Sequence, residues 1–241
     1  MTNLLFTESP AGHVKHTAMS RLLVTDSDLH DTLGLTAFDL APLRLRTLEA
    51  IATYPDSQEP SETAFSLENQ KGASMFSYLS EHPDREKRFG NAMRYYSRVE
   101  EWSLKHLIRT YPWAKVDRPG ATFVDIGGGQ GTVSHELVSS TEHLQFIVQD
   151  LPGVVEEGRA KLRTEHQNRV SFMAHDFFKE QPVKHADIYF FRWILHDWSD
   201  KYCIRILRQL VPAMKEGAKV IVYEAVLLNG PETRWTEKQS R

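Results

Sequence analysis

The sequence predicts an α/β protein with a doubly wound parallel sheet of the Rossmann-like kind, preceded by a helical region. Three observations carry this prediction. Short apolar, β-branched or aromatic runs alternate with helix-like patterns in the second half of the chain. A loop with four glycines follows the first of these runs, and acidic residues stand where several runs end. The first half instead shows the apolar spacing of amphipathic helices.

Each element follows from its local pattern. Five runs are the predicted strands: 122–126, 144–148, 169–174, 186–191 and 219–226. Three amphipathic stretches between them are the predicted helices: 131–140, 152–164 and 200–215. In the first half, 38–54 predicts a helix and 84–111 predicts one long amphipathic helix or two joined ones, with a surface loop at 55–64 and a linker at 112–121. We therefore divide the chain into a helical region, 1–115, and an α/β domain, 116–241.

Composition excludes several classes of function. The 241-residue chain has a formal net charge of −3, which argues against nucleic acid or an anionic membrane as the main partner. Its single cysteine, Cys203, excludes an intrachain disulfide and a Cys-rich zinc cluster, and fits a reducing compartment. No apolar run approaches the ~18 residues of a membrane span, and no signal-peptide pattern is present. A cytoplasmic location is the expectation.

The glycine loop lies in "FVDIGGGQGTVSHEL", residues 123–137. Its glycines are Gly127, Gly128, Gly129 and Gly131. A dinucleotide fingerprint G-x-G-x-x-G needs a further glycine at Thr132 or Ser134. Asp125 at the strand end suits a ligand with an ammonium group, such as the amino-acid part of S-adenosylmethionine, and fits poorly beside a pyrophosphate. A plain tight strand–helix turn is the alternative reading of the glycines.

Two further acids follow the next strands. Asp150 lies 25 residues after Asp125, where an acid accepts ribose hydroxyls in any doubly wound nucleoside site. Asp176 lies just beyond the third strand, so it could accept the exocyclic amine of adenine while Phe177 covers the ring. An ordinary acidic loop residue explains Asp176 equally well.

With these residues assembled, the chain resembles the metal-independent, S-adenosylmethionine-dependent O-methyltransferases of the caffeic-acid type, particularly fungal ones. The resemblance rests on "VDIGGGQG", "QDLPGVV", "AHDFF", "RWILHDWSD" and "VIVYEAVL", in that order. It reaches back through "FSYLSEHPDREKRFGNAMRYYS" to "GHVKHTAMSRLL". It implies a Rossmann-like methyltransferase fold acting on a hydroxyl of a small aromatic or polyketide-like secondary metabolite.

The resemblance also implies site residues. The implied cofactor contacts are Gly127, Gly128, Gly129, Asp150, Leu151, Asp176, Phe177, Arg192 (where a lysine is common in the family) and Ser97. Phe89 and Met93 match residues that hold the aromatic acceptor, although plain helix core explains them as well. Asp197 is assigned to the substrate too. No metal ligand is implied.

His196 is the candidate general base. In "FFRWILHDWSDKYCIRIL", residues 190–207, it follows the fourth strand, and this places it at the carboxyl edge of the sheet where doubly wound folds bind ligands. A helix capped by Ser199 and ending at Gly217 follows it. Glu224, at the end of the fifth strand, matches the family glutamate that orients the imidazole.

The chain departs from the family at both ends. Members are homodimers whose dimerisation region and most of a winged-helix portion precede "GHVKHT", and further strands follow the fifth. We therefore expect a fragment or shortened member whose region 1–115 begins with a winged-helix remnant. We also expect an open fifth-strand edge, exposed apolar area on 84–111 and self-association. Two other functions stay open: the same fold without methyl transfer, as in pericyclase- or dehydratase-like relatives, and a non-catalytic truncated paralogue.

Overall fold

The computed structural model describes residues 5–225, which form two compact units. One unit holds the chain through Thr110 together with Leu151–Lys161, and the other holds Tyr111–Asp150 and the chain from Leu162 onward. None of the helices in the described part of the chain is long and apolar enough to cross a bilayer.

The first unit begins with an antiparallel hairpin and continues as helices. The hairpin consists of β1 (Phe6–Glu8) and β2 (Val14–His16). The helices are α1 (Ala18–Thr25), α2 (Ser27–Gly34), a π-helical turn (Leu35–Leu40), α3 (Ala41–Thr53), α4 (Ala64–Glu68), α5 (Met75–Ser80), α6 (Pro83–Tyr96), α7 (Leu104–Thr110) and α9 (Pro152–Lys161). Side chains at the N-caps start α1 and α2, because Thr17 and Asp26 accept hydrogen bonds from free N–H groups of each first turn.

Ion pairs and hydrogen bonds hold α2 to α6. The carboxylate of Asp28, only 3% exposed, accepts from both Arg94 and Arg98. Asn91 donates to Asp31 over 2.6 Å. These arginines replace the hydrogen bonds that the buried Asp28 carboxylate would otherwise make to water. Loss of either arginine should therefore lower the stability of the fold.

The stretch 84–111 forms two helices, the second of the two predicted arrangements. Helix α6 ends at Tyr96, a 3₁₀ turn spans Glu100–Trp102, and α7 follows. The prediction that 84–111 exposes apolar area is wrong. None of the exposed large hydrophobic side chains in the described part of the chain lies in this stretch. The exposed apolar side chains of this unit lie instead on and around α1 and α3, with Leu45 86% and Leu48 81% exposed.

The second unit is built on five parallel strands, which confirms the predicted fold class. These are β3 (Thr122–Ile126), β4 (Gln145–Asp150), β5 (Val170–Ala174), β6 (Ile188–Arg192) and β7 (Lys219–Tyr223), in the order β5-β4-β3-β6-β7. Helix α8 (Thr132–Val138) contacts β4 and β5, and α10 (Asp200–Arg208) shares a core cluster with β3 and β6. Aromatic side chains of the central strands are fully buried: Phe123, Phe146, Tyr189 and Phe190 are at most 1% exposed.

Helix α10 is shorter than predicted. It ends at Arg208 rather than near residue 215, and a 3₁₀ turn follows at Val211–Ala213. Pro212 explains the early end, because proline has no N–H to donate and its ring excludes the helical carbonyl four residues before it. Gly217 then takes a left-handed φ of +80° and turns the chain into β7.

Strand order determines where a ligand can bind. The chain passes outward through β3, β4 and β5, then returns to the other side of β3 for β6 and β7. The direction of winding therefore reverses between β3 and β6. In open parallel sheets, ligands bind outside the carboxyl ends of the strands at such a switch point.

Candidate active site

The glycine loop after β3 has a conformation that only glycine tolerates easily. Gly127 has φ +65° and Gly129 φ +59°. A Cβ at Gly127 would lie 2.4 Å from Cδ1 of Ile194, whereas a Cβ at Gly129 would meet nothing within 4 Å. The loop is thus packed tightly on one side and open at Gly129, which leaves its backbone accessible to a ligand.

Asp125 supports this loop from behind. Its carboxylate is 1% exposed and accepts a hydrogen bond from the Ser134 hydroxyl over 2.8 Å. A Cβ at Gly128 would come within 2.6 Å of the Asp125 carboxyl carbon. Burial raises the pKa of Asp125 to about 6, against the lowering effects of the Ser134 hydrogen bond and of Arg192. The Asp125 carboxylate is therefore enclosed by the loop and by Ser134, and its suitability for a ligand with an ammonium group stays a prediction.

Asp150, at the end of β4, lies against the same loop. The backbone N–H of Gly129 donates to Oδ2 of Asp150 over 2.8 Å, and the Asp150 carbonyl accepts from His175 over 2.9 Å. The side chain is half-buried. Asp150 thus ends its strand, where the sequence predicted it, and lies beside the open part of the loop. Its role toward a ligand stays a prediction.

The chain after β5 brings Phe177 to the glycine loop. A Cβ at Gly127 would lie 3.8 Å from Cε1 of Phe177. The Phe177 ring also meets Trp198 edge-on, with centroids 5.9 Å apart. The neighbouring Asp176 accepts from the N–H of Phe178 over 2.9 Å through Oδ1, which shapes the loop. An aromatic cluster thus joins the β5 exit to the turn after β6.

Arg192 ends β6 with its guanidinium largely buried, at 9% exposed. The guanidinium carbon lies 3.8 Å from the centroid of the Trp193 ring, a close cation–π contact. Burial lowers the pKa of Arg192 to about 10, while Tyr223, Asp125 and Glu224 raise it. Arg192 is cationic at neutral pH.

The turn after β6 carries His196, whose side chain is 53% exposed. Its Nδ1 lies 3.6 Å from Oε2 of Glu224, a carboxylate that is 12% exposed, and its Nε2 lies 3.5 Å from Oδ1 of Asp197. Partial burial raises the pKa of Asp197 to about 6; His196 opposes the shift and Glu224 adds to it. The geometry presents an accessible imidazole with a buried acid behind it.

The remaining predicted residues lie in the first unit. Phe89, Met93 and Ser97 recur every fourth residue along α6 and its C-cap, so they share one face of the helix. The Phe89 ring meets that of Phe76 edge-on at 6.0 Å, and the Ser97 hydroxyl donates to the Met93 carbonyl over 3.0 Å. The Leu151 carbonyl accepts from Val155 in the first turn of α9. Their roles in a site stay predictions.

Sequence reasoning missed three residues that shape this region. Ser134 holds Asp125, Trp193 turns the chain after β6 at φ +55°, and Cys203 donates to carbonyls of the His196 turn. Ser134 had a signal, since a hydroxyl one helical turn beyond a glycine loop reaches back to the strand end. A left-handed tryptophan and a thiol contact have no comparable signature.

The chain is similar in sequence to a known protein family and to several curated proteins. The O-methyltransferase domain family matches residues 57–240. O-methyltransferase AMT9 of Alternaria alternata is 42% identical over 247 positions, covering 100% of this chain and 56% of the relative. Chlorophenol O-methyltransferase of Trichoderma longibrachiatum is 38% identical over 246 positions, covering 100% of this chain and 53% of the relative. The chain thus spans about half the length of these curated relatives.

Two solved structures of similar fold are described as enzymes whose reactions differ from each other. One described as a pericyclic reaction enzyme superimposes with a TM-score of 0.77 at 26% identity, covering 94% of this chain and 58% of that one. NcsB1, an O-methyltransferase from neocarzinostatin biosynthesis, was solved with S-adenosylhomocysteine and 1,4-dihydroxy-2-naphthoic acid. It superimposes with a TM-score of 0.70 at 25% identity, covering 90% of this chain and 63% of that one.

Proposed function

The chain belongs to the O-methyltransferase domain family, whose cofactor is S-adenosylmethionine, and on that premise we propose that it methylates a hydroxyl of a small aromatic compound with His196 as general base. The observation that carries the proposal is the exposed imidazole of His196 with the buried Glu224 carboxylate 3.6 Å behind its Nδ1. A chlorophenol O-methyltransferase and an enzyme crystallised with a dihydroxynaphthoic acid among the similar proteins support a phenolic acceptor.

The residues present fit the cofactor of the family. Gly129 leaves open space where a side chain would stand, and Asp150 beside it offers carboxylate oxygens suited to ribose hydroxyls. Phe177 presents an aromatic ring next to the loop. When bound, S-adenosylmethionine supplies an electrophilic methyl group on a positively charged sulfur. Asp176, Arg192, Leu151 and Ser97 complete the set of contacts that we propose.

His196 would take the proton of the acceptor. A phenol titrates near pH ~10 and imidazole near ~6.5, so complete proton transfer beforehand would cost about 5 kcal/mol. Proton transfer to Nε2 while the phenol oxygen forms its bond to the methyl carbon avoids that cost. The bound cofactor would supply the methyl group and would keep the electron pair of the carbon–sulfur bond on its sulfur, so that His196 would hold the proton that the acceptor loses.

Glu224 and Asp197 would determine the tautomer of the His196 imidazole and stabilise its protonated form. An acid near Nδ1 favours the tautomer with its proton there, which leaves the Nε2 lone pair free to accept. Asp197, 3.5 Å from Nε2, adds negative charge on the side where the imidazolium forms. Phe89 and Met93 are proposed to hold the acceptor. We also propose a reducing compartment, such as the cytosol, because the chain has a single cysteine.

A second function has one observation in its favour, the similarity to a pericyclic reaction enzyme at 26% identity. The decisive experiment incubates the chain with methyl-labelled S-adenosylmethionine and a panel of phenols and enols, and measures cofactor affinity separately by calorimetry. A labelled methyl ether supports methyl transfer. Cofactor binding without transfer favours the second function, and absence of cofactor binding contradicts both and favours a non-catalytic paralogue.

A further inference from the structure

The turn that carries His196 is held through its backbone N–H groups by Glu224. Oε1 of Glu224 accepts from the N–H of Ile194 over 2.8 Å and from that of Leu195 over 3.1 Å. These contacts are shorter than the 3.6 Å between Oε2 and the imidazole. Charge-assisted hydrogen bonds to two successive N–H groups fix the backbone just before His196.

Cys203, in the first turns of α10, meets the same turn from its carbonyl side. Its Sγ lies 3.3 Å from the carbonyl oxygen of Leu195 and 3.4 Å from that of Trp198, the residues on either side of the His196–Asp197 pair. The thiol can share its one hydrogen between these oxygens. Burial, with the nearby Asp200 charge, raises the pKa of the Cys203 thiol, so the donor is present at neutral pH.

The turn needs such support because it begins in a disfavoured conformation. Trp193 has φ +55°, a left-handed value that is sterically disfavoured for a residue with a side chain. Its ring remains stacked with the Arg192 guanidinium. The chain between β6 and α10 therefore needs contacts from neighbouring residues to stabilise this conformation.

We propose that Cys203 is a positioning residue for His196, and that Cys203 and Glu224 together hold the turn from its carbonyl and amide sides so that the imidazole stays where it can accept a proton. The catalytic part of this inference rests on the proposed function. It gives Glu224 a second task besides its contact with the imidazole. Preorganisation of this kind raises turnover without changing affinity for the cofactor.

The test compares Cys203→Ala and Cys203→Ser in the full chain, with Ile204→Ala as the matched control. Ile204 is the next residue of α10, and its side chain is 50% exposed to solvent. We expect Cys203→Ala to lower kcat about tenfold, which corresponds to about 1.4 kcal/mol in the activation barrier. The cofactor Kd should change less than twofold, because Cys203 contacts the His196 turn. Cys203→Ser, whose hydroxyl can donate to the same carbonyls, should stay within about threefold of the parent kcat, since it keeps a donor at this place.

A second measurement does not depend on turnover. The ring signals of His196 in NMR spectra, followed through a pH titration, should change in position or width in Cys203→Ala and return toward the parent in Cys203→Ser. If the parent methylates nothing but these signals change, the proposed function fails and the positioning role stands. Unchanged signals, or a Cys203→Ala kcat equal to the parent, or equal losses in the two cysteine variants, would overturn the inference.

Discussion

The N–H of Gly129 donates to Oδ2 of Asp150 over 2.8 Å, so the loop after β3 is tied to the acid that ends the neighbouring strand. One carboxylate thereby shapes the loop and stands beside its open side. Loss of this side chain should affect the loop and the ligand together, whereas loss of its charge alone should affect mainly the ligand.

Asp150→Ala should weaken binding of S-adenosylmethionine and of S-adenosylhomocysteine by roughly 1.5–3 kcal/mol, the value of hydrogen bonds to a charged group, which is ten- to a hundredfold or somewhat more in Kd. Asp150→Asn is the matched control, because its amide oxygen can still accept from Gly129. We expect it to lose less affinity and to keep the parent thermal stability. Calorimetry decides, and equal affinity of parent and Asp150→Ala would remove Asp150 from the site.

His196→Ala should abolish methyl transfer and leave the cofactor Kd within a few-fold, because the imidazole serves the acceptor. His196→Gln, which keeps a polar side chain but has no basic nitrogen, should be equally inactive. General-base catalysis typically contributes 10²–10⁴-fold, so the residual rate should lie at or below about one per cent. Turnover close to that of the parent in either variant would contradict the assignment.

The sheet could be predicted because parallel strands are buried on both faces and read as apolar runs. Strand β3 matches its predicted run, 122–126, and the other strands lie within three residues of theirs at either end. The carboxyl-edge placement of Asp150, His196 and Glu224 followed from that topology. Helix ends were less predictable, as α10 shows, because the apolar periodicity continues through Pro212 after the helix has ended.

Other features have no signal in the sequence because they depend on tertiary contacts. The left-handed φ of Trp193 runs against the preference of aromatic residues, and it is the contacts of the following turn that stabilise it. The enclosure of Asp125 depends on Ser134 and on the close approach of Gly128. Apolar spacing on α3 predicted a helix correctly but did not show that this face remains exposed.

Gly127→Ala and Gly129→Ala should separate packing from ligand access in the glycine loop. Both positions have positive φ, but only the Cβ at Gly127 would collide, 2.4 Å from Ile194. We expect Gly127→Ala to lower the melting temperature more than Gly129→Ala, because the end of the Ile194 side chain must also move. The cost at Gly129 is the left-handed conformation alone, about 1–2 kcal/mol. Gly129→Ala should instead weaken cofactor binding. Thermal melts with and without cofactor test this, and identical behaviour of the two variants would contradict it.

Acid should destabilise the second unit through the contact between His135 and His166. Their Nδ1 atoms lie 3.0 Å apart, so one ring donates and the other accepts. Burial lowers the pKa of His135 to about 4, helped by the charges of His166 and Arg163. The unfolded chain, with a pKa near ~6.5, binds more protons between those values, so this stability is present above pH ~6.5 and is lost as pH falls toward 4.

His135→Asn isolates that effect, because an amide can keep a hydrogen bond to His166 and does not titrate. Asp125 and Asp197, whose pKa values are raised to about 6, act in the opposite sense and cancel in the comparison. Since the His135 ring is only half-buried, we expect screening to leave about 1 kcal/mol, or 2–4 °C in melting temperature gained by the variant relative to the parent between pH 7 and 4.5. Parallel curves of melting temperature against pH would show that His135 does not titrate in this way.

The exposed face of α3 should drive self-association of this 241-residue chain. Leu45 and Leu48 are 86% and 81% exposed on adjacent turns, and apolar groups clustered in this way associate to leave water. Burying one leucine is worth about 1.5–3 kcal/mol, so Leu45→Lys/Leu48→Glu should weaken association tenfold or more. Substitution at such exposed positions should change folding stability by at most about 0.5 kcal/mol.

Ile204→Lys, at a 50% exposed position of α10, is the control for added charge and should leave association unchanged. Sedimentation velocity over a range of micromolar concentrations measures the outcome. A parent that stays monomeric throughout, or a double variant that associates as strongly as the parent, would show that this face does not hold chains together.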